Sequence, residues 1–214
     1  MSLAAQRAPQ GDAWGRSGAA GDGWATHRYR DRHFDQQAVQ LLPGEFYVTD
    51  QPLLLTTVLG SCVSAFIRDP RLGIGGMNHF MLPEGDLGGS NSARYGSFAM
   101  EILINELLKA GARRSGLEAK VFGGGAVLKG FTDTNVGKRN AEFVLSYLKA
   151  EHIPVAAKDL GDTCPRKIYC FPHEGRVMVK RLTAGLAQND LAVESAYRSR
   201  LVQAPVTGSV ELFD

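Results

Sequence analysis

The sequence predicts a single layered domain of the α/β or α+β class, and three observations carry that prediction. Leu53 to Ile67 is uncharged and rich in β-branched and aromatic residues, a pattern of buried strand, with Gly60-Ser61 breaking it in the middle. Met100, Leu103, Ile104, Leu107 and Leu108 recur at helical spacing, and Ala141, Val144, Leu145 and Leu148 line one side of a second helix. Strand signals then return in a last pair of apolar runs, flanking Pro172-His173-Glu174-Gly175-Arg176 as a hairpin.

Taken in order, residues 1–40 read as a flexible N-terminal tail, because aliphatic residues are nearly absent before Val39. Trp14 and Trp24 lie in it, either as docking anchors or as incidental residues. His27 and His33 sit among arginines and read as a solvated basic patch. A domain over 41–185 follows. It opens with Leu41-Leu42-Pro43-Gly44, a turn into a strand ending at Val48, and continues with a central strand pair at 53–58 and 62–67. Arg68-Asp69-Pro70-Arg71 turns the chain into a strand over 72–80. A glycine-rich surface loop, 81–91, precedes a helix over 95–110 that Gly111 is placed to end. Leu117, Ala119 and Val121 alternate with charges as a strand with one covered face, leading into Gly123-Gly124-Gly125. A helix over 136–151, a strand over 153–160 and the hairpin at 167–182 complete the domain. Residues 186–214 form a polar C-terminal extension with at most a short helix around 186–200.

Composition narrows the function classes. The chain has 214 residues, 44% hydrophobic and 21% charged, which suits a globular domain. A net charge of +2 gives no electrostatic case for a nucleic acid or an anionic membrane as partner. Three cysteines, an odd number, argue against a disulfide framework, and no apolar run reaches the ~20 residues of a membrane span. A cytoplasmic location, without direct membrane insertion, is the expectation.

The break at Gly60-Ser61 delivers Cys62, and His79 follows seventeen positions later at the end of the next apolar segment. That spacing admits a thiol nucleophile with its base, and equally a buried cysteine that is merely a small apolar side chain. The glycines at 123–125 meet neither nucleotide fingerprint and are better explained by close passage of backbone. Cys164, Cys170 and His173 match no standard zinc spacing, so no metal is expected. Asp133, Glu142 and Asp159 stand singly, as caps or surface charges, and no cofactor is called for.

Taken together, Leu59-Gly60-Ser61-Cys62-Val63, Asn78-His79-Phe80-Met81-Leu82-Pro83, Ala93-Arg94-Tyr95, Glu118 to Gly124, Asn135 to Asn140 and the Asp159, Gly161, Arg166-Lys167 region resemble the CheD family of chemoreceptor glutamine deamidases. The likeness spans about residues 44–182. Gly161-Asp162-Thr163-Cys164-Pro165 departs from it, replacing the glycine-rich stretch the family usually carries. The resemblance implies an α/β sandwich, single-domain, with a papain-like Cys-His pair on an unrelated fold, completed by a threonine. It places the nucleophile at Cys62, the base at His79 and the third member at Thr56, with Thr57 adjacent and on the opposite face of the strand. It further implies that glutamines of chemoreceptor cytoplasmic helices are the substrate, with a location at receptor clusters, and that a CheC-type phosphatase is a partner. A non-catalytic binding module for receptors or for that phosphatase, and a Cys hydrolase of another amide or thioester, are the rival readings.

These residue types suit the chemistry. An amide is a poor electrophile and ammonia a poor leaving group, so a thiolate and a proton donor are both needed. A free thiol with pKa ~8.5 is mostly protonated at neutral pH and gains from a paired imidazole.

Overall fold

Leu53 to Ile67 folds as strand, but as two strands in two different sheets. The computed structural model describes residues 24–82, 90–127, 136–183 and 185–203. Readings that fell on 1–23, 83–89, Asp133, Asn135 and 204–214 lie outside the described residues. Within the described chain the strands are β1 (His27–Asp31), β2 (Gln36–Gln40), β3 (Phe46–Thr49), β4 (Leu54–Leu59), β5 (Val63–Asp69), β6 (Ile74–Asn78), β7 (Glu118–Gly123), β8 (Val155–Leu160), β9 (Arg166–Phe171) and β10 (Arg176–Arg181). The helices are α1 (Ser90–Lys109), α2 (Val136–Ala150) and α3 (Gln188–Gln203).

One sheet has the order β3-β6-β5-β7-β8 and the other β1-β2-β4-β9-β10. Strands β4 and β5 are therefore not partners: β4 pairs with β2 and β9, while β5 pairs with β6 and β7. Alternation along a strand reports its faces but not its neighbours, so the sequence showed two strands without showing that the chain changes sheet between them. That change falls at Gly60-Ser61-Cys62.

Three layers result. Val63, Ala65 and Ile67 of β5 turn one face of their sheet toward Leu103, Ile104 and Leu107 of α1 and Val144 and Leu148 of α2. Phe66 and Met77 face the second sheet, meeting Leu55, Leu59, Ile168 and Cys170. The outer face of the second sheet carries Ala38, Leu54 and Phe171 under Tyr29, Phe34 and Tyr169. Buried residues at both periods, 3.6 in the helices and 2 in the strands, are what the sequence pattern required. Among the described residues no helix is long and apolar enough to cross a membrane.

Two boundaries move. The stretch read as tail includes two strands, since β1 and β2 form an antiparallel hairpin and β2 continues the sheet beside β4. Asp31 fixes the hairpin turn by accepting hydrogen bonds from the backbone N–H groups of His33 and Phe34, at 2.9 and 3.2 Å. Backbone pairing holds these residues where their sparse aliphatic content gave no sign of it. At the other end, the helix expected around 186–200 is α3, which packs beside β4 rather than trailing away.

Candidate active site

The nucleophile candidate sits on a turn braced from three sides. The Gly124 N–H donates to the Cys62 carbonyl at 2.7 Å and the Gly125 N–H to the Gly60 carbonyl at 2.8 Å. Gly123 has φ +104°, and a Cβ there would lie 2.2 Å from the Cys62 carbonyl oxygen. The glycine run is thus a backbone-to-backbone seat for the turn, as the sequence suggested, and only glycine fits it. From α2, the buried Asn140 donates to the Ser61 carbonyl at 2.8 Å and accepts from the Leu82 N–H at 2.9 Å. It ties the cysteine turn to the segment just beyond His79.

Register brings Cys62 and His79 to one face. Strand β5 pairs with β6 through Phe66 and Met77, and the same register continues as a bridge between Val63 and Phe80. His79 then lies opposite Ser64, and Cys62 lies diagonally from it, a separation that longer side chains can span. Both are buried between the sheets, Cys62 at 0% exposure and His79 at 2%.

The threonine that meets His79 is Thr57, not Thr56. Thr57 Oγ1 lies 2.8 Å from His79 Nδ1 and donates its proton to the Leu41 carbonyl at 2.8 Å. Thr56 points to the opposite face of β4, where its hydroxyl meets that of Tyr29 at 3.1 Å. Leu55 and Leu59 share the inner face with Thr57, which decides the matter. Thr56, expected as third member, thus meets Tyr29, and the hydroxyl beside His79 is that of Thr57. A carbonyl can only accept, so the single Thr57 proton goes to Leu41, and Oγ1 must accept from Nδ1–H. The other ring nitrogen, Nε2, is then the one with a free lone pair. It is buried, and among the described residues it has no hydrogen-bond partner.

One residue at the site had no place in the sequence reading. Glu194 of α3 is 2% exposed, and its carboxylate is aimed at the cysteine turn. Oε1 accepts from the Cys62 N–H at 2.5 Å and from Ser61 Oγ at 2.8 Å, while Oε2 accepts from the Gly60 N–H at 2.9 Å. The Gly60 and Cys62 N–H groups and the Ser61 hydroxyl thus converge on a carboxylate carried by a helix far along the chain. The signal was a glutamate among Ala187, Leu191, Tyr197 and Leu201, which recur at helical spacing.

Burial pushes the Cys62 thiol well above its ordinary range, and the adjacent Glu194 carboxylate pushes the same way. Burial likewise lowers His79 to about 4, against a smaller opposing pull from Glu194. Both groups therefore rest neutral. A histidine at about 4 when folded and 6.5 when unfolded binds more protons in the unfolded chain between those values. Its contribution to stability is complete above pH ~6.5 and is lost as pH falls toward 4, amounting to about 3 kcal/mol. Denaturant unfolding at pH 7 and pH 4.5 should show this loss in the wild type and a smaller one in His79→Gln.

Next to the pair runs a groove of about 510 Å³, reached by His79 and Tyr95 and walled by Trp24, Phe46 and the exposed Phe98. Trp24 packs tilted against Phe46 and edge-on against Tyr47, with ring centroids 5.0 and 5.3 Å away, so it is built into this wall. Cys170 is elsewhere, buried in β9 with its thiol toward Met77. Asp159 does not stand singly: it pairs with Arg181 and with the fully buried Arg166, which also donates to the Gly161 carbonyl.

The comparisons with known proteins bear on this arrangement. The family described as "CheD chemotactic sensory transduction" matches residues 81–181. A protein of Xanthomonas campestris pv. campestris (strain B100) named "Probable chemoreceptor glutamine deamidase CheD" is 59% identical over 187 residues, covering 87% of this chain and 94% of its own. "Probable chemoreceptor glutamine deamidase CheD 1" of Dechloromonas aromatica (strain RCB) is 58% identical over 193 residues, covering 88% and 95%. A protein of Janthinobacterium sp. (strain Marseille) with the first of these names is 58% identical over 195 residues, covering 89% and 96%. With relatives this similar over nearly their whole length, the chain belongs to the CheD family.

Proposed function

We propose that this protein hydrolyses glutamine side chains on the cytoplasmic helices of chemoreceptors to glutamate, with Cys62 as nucleophile, His79 as acid and base, and Thr57 as the group that orients the imidazole. The observation that carries the reading is the Thr57–His79 hydrogen bond, which frees Nε2 on the face that Cys62 shares. The relatives' names give the substrate class.

In this mechanism Nε2 takes the thiol proton as Sγ attacks the carboxamide carbon. The developing oxyanion is met by the Cys62 N–H and its neighbours. The imidazolium protonates the departing nitrogen, ammonia leaves, and a thioester remains. Water gives a proton to Nε2 as it attacks the thioester, and Sγ leaves as the thiol, yielding glutamate. Thr57 keeps Nδ1 protonated and the ring in place throughout, the part an Asp or Asn plays in other triads. Exchange of a neutral side chain for an anion alters packing and signalling bias in the receptor helices. The protein acts at receptor clusters, where a CheC-type phosphatase is a further partner.

Remote contacts with a helix position the reacting group, so free glutamine should be turned over far more slowly than a receptor cytoplasmic fragment at equal carboxamide concentration, in kcat as well as KM. Ammonia release measures both. Equal rates would replace the receptor substrate with a general amide. Stable binding of the fragment without release would favour the binding module, a reading helped by the complete burial of Cys62.

A further inference from the structure

Glu194 takes no part in the proton transfers above, yet its carboxylate occupies the position they require. We propose that α3 is a built-in product mimic: it presents Glu194 to Cys62 as a receptor helix presents its newly formed glutamate, and it must leave its seat before a substrate helix can enter. The proposal rests on the deamidase reading and concerns the same site.

The chemistry of the contact favours it. The product is a glutamate side chain carried on a helix, and Glu194 is a glutamate side chain carried on a helix. Its Oε1 takes the N–H of Cys62 and the hydroxyl of Ser61, the donors that a carboxamide oxygen needs as it gains negative charge.

The seat is shaped to admit a helix closely. A Cβ at Gly60 would lie 2.7 Å from Leu191 and 2.6 Å from the Glu194 carboxylate. A Cβ at Gly44 would lie 2.8 Å from the Tyr197 hydroxyl. Tyr197 also meets the hydroxyl of Tyr95, at the edge of the groove beside His79. Leu191, Glu194, Tyr197 and Leu201 thus form one stripe running over the cysteine turn, and Glu194 is its only charged member.

The remainder of α3 favours release. Val193 is exposed, and Ala192, Ser195, Ala196, Ser199 and Arg200 face solvent as well, so apolar contact holds the helix through the single stripe of Ala187, Leu191, Tyr197 and Leu201. Local opening of such an element costs a fraction of global unfolding. A short connection from β10 keeps the mimic at a high effective concentration, so entry of substrate is a competition with it. While α3 is seated, Cys62 is covered and remains a thiol; when it leaves, the carboxylate and part of the burial leave together.

The decisive variant is Glu194→Gln. It converts the mimic into a substrate, since the introduced carboxamide lies on the same donors of the cysteine turn. Attack by Sγ expels ammonia, water releases the thioester, and glutamate is restored at position 194. Peptide mass spectrometry should find that conversion in Glu194→Gln, at a rate independent of protein concentration, and should find the amide intact in the Cys62→Ala/Glu194→Gln double variant. An amide that persists at position 194 in a protein that still deamidates the receptor fragment would overturn the mimic and spare the deamidase reading. Absence of ammonia release from the fragment by wild type and variant alike would overturn both. Independently, Glu194→Ala should raise iodoacetamide labelling of Cys62, relative to the half-exposed Cys164, by about tenfold, roughly one net hydrogen bond, and should speed turnover of the fragment. Unchanged labelling, or slower turnover, counts against the mimic.

Discussion

Cys62→Ala should abolish release of ammonia from a receptor fragment and leave a folded protein. The first half of that expectation follows from chemistry. Without Sγ no thioester can form, and no other side chain of the site is a nucleophile of comparable strength toward an amide. Serine in its place keeps the shape but offers a hydroxyl whose proton His79 cannot remove as readily, so Cys62→Ser should also be silent. The second half follows from packing. Cys62 is fully buried among Phe66, Met77 and Phe122, but only its sulfur is removed, and the turn is held by backbone bonds from Gly124 and Gly125 that the substitution does not touch. A stability loss of about 1 kcal/mol is expected. Ammonia release, beside far-UV circular dichroism and a melting curve, tests both halves. Wild-type turnover by a well-folded Cys62→Ala protein would remove the nucleophile assignment.

Much of the fold was legible because its signals are local. The helical spacing of Met100, Leu103, Ile104 and Leu107 placed the body and end of α1, whose start at Ser90 falls in the expected loop, and the runs around Pro172 to Arg176 placed the β9–β10 hairpin to within a residue or so. What the sequence could not give was pairing between distant strands. That β4 leaves for one sheet and β5 for the other is settled by partners far along the chain, β9 and β7. The hairpin of β1 and β2 was illegible for a related reason. Its residues are polar and basic, and their order comes from hydrogen bonds to β4, which composition does not record.

The site divides in the same way. Cys62 and His79 stood out through residue type and a resemblance covering both. Choosing between Thr56 and Thr57 required knowing which face of β4 meets the first sheet. Leu54-Leu55-Thr56-Thr57-Val58-Leu59 is apolar on both faces, because the strand is covered on both, so alternation separated the two threonines without ranking them. Glu194 lies beyond the stretch that carried the resemblance, on a helix that looks solvated, and only the folded chain brings it over a cysteine 132 residues earlier.

His79→Ala should lower kcat by about 10²–10⁴, the contribution of a positioned acid and base, because neither activation of the thiol nor protonation of ammonia has another agent at the site. Thr57→Ala should cost less, about 10–100-fold, and in kcat rather than KM. The hydroxyl touches no substrate atom; it holds Nδ1–H and so keeps Nε2 directed to the reacting groups. Loss of the hydroxyl leaves the Leu41 carbonyl as the acceptor remaining near the ring, which preserves the tautomer in part and limits the damage. Thr57→Ser retains the oxygen and should recover most of the rate. Thr56→Ala removes a hydrogen bond to Tyr29 on the outer face of the sheet, so it should reduce stability by about 1 kcal/mol and leave kcat nearly unchanged. Steady-state kinetics on a receptor fragment, with melting curves for each variant, separates these cases. A larger loss of kcat in Thr56→Ala than in Thr57→Ala would return the third position to Thr56 and require the imidazole to be oriented from the other face of β4.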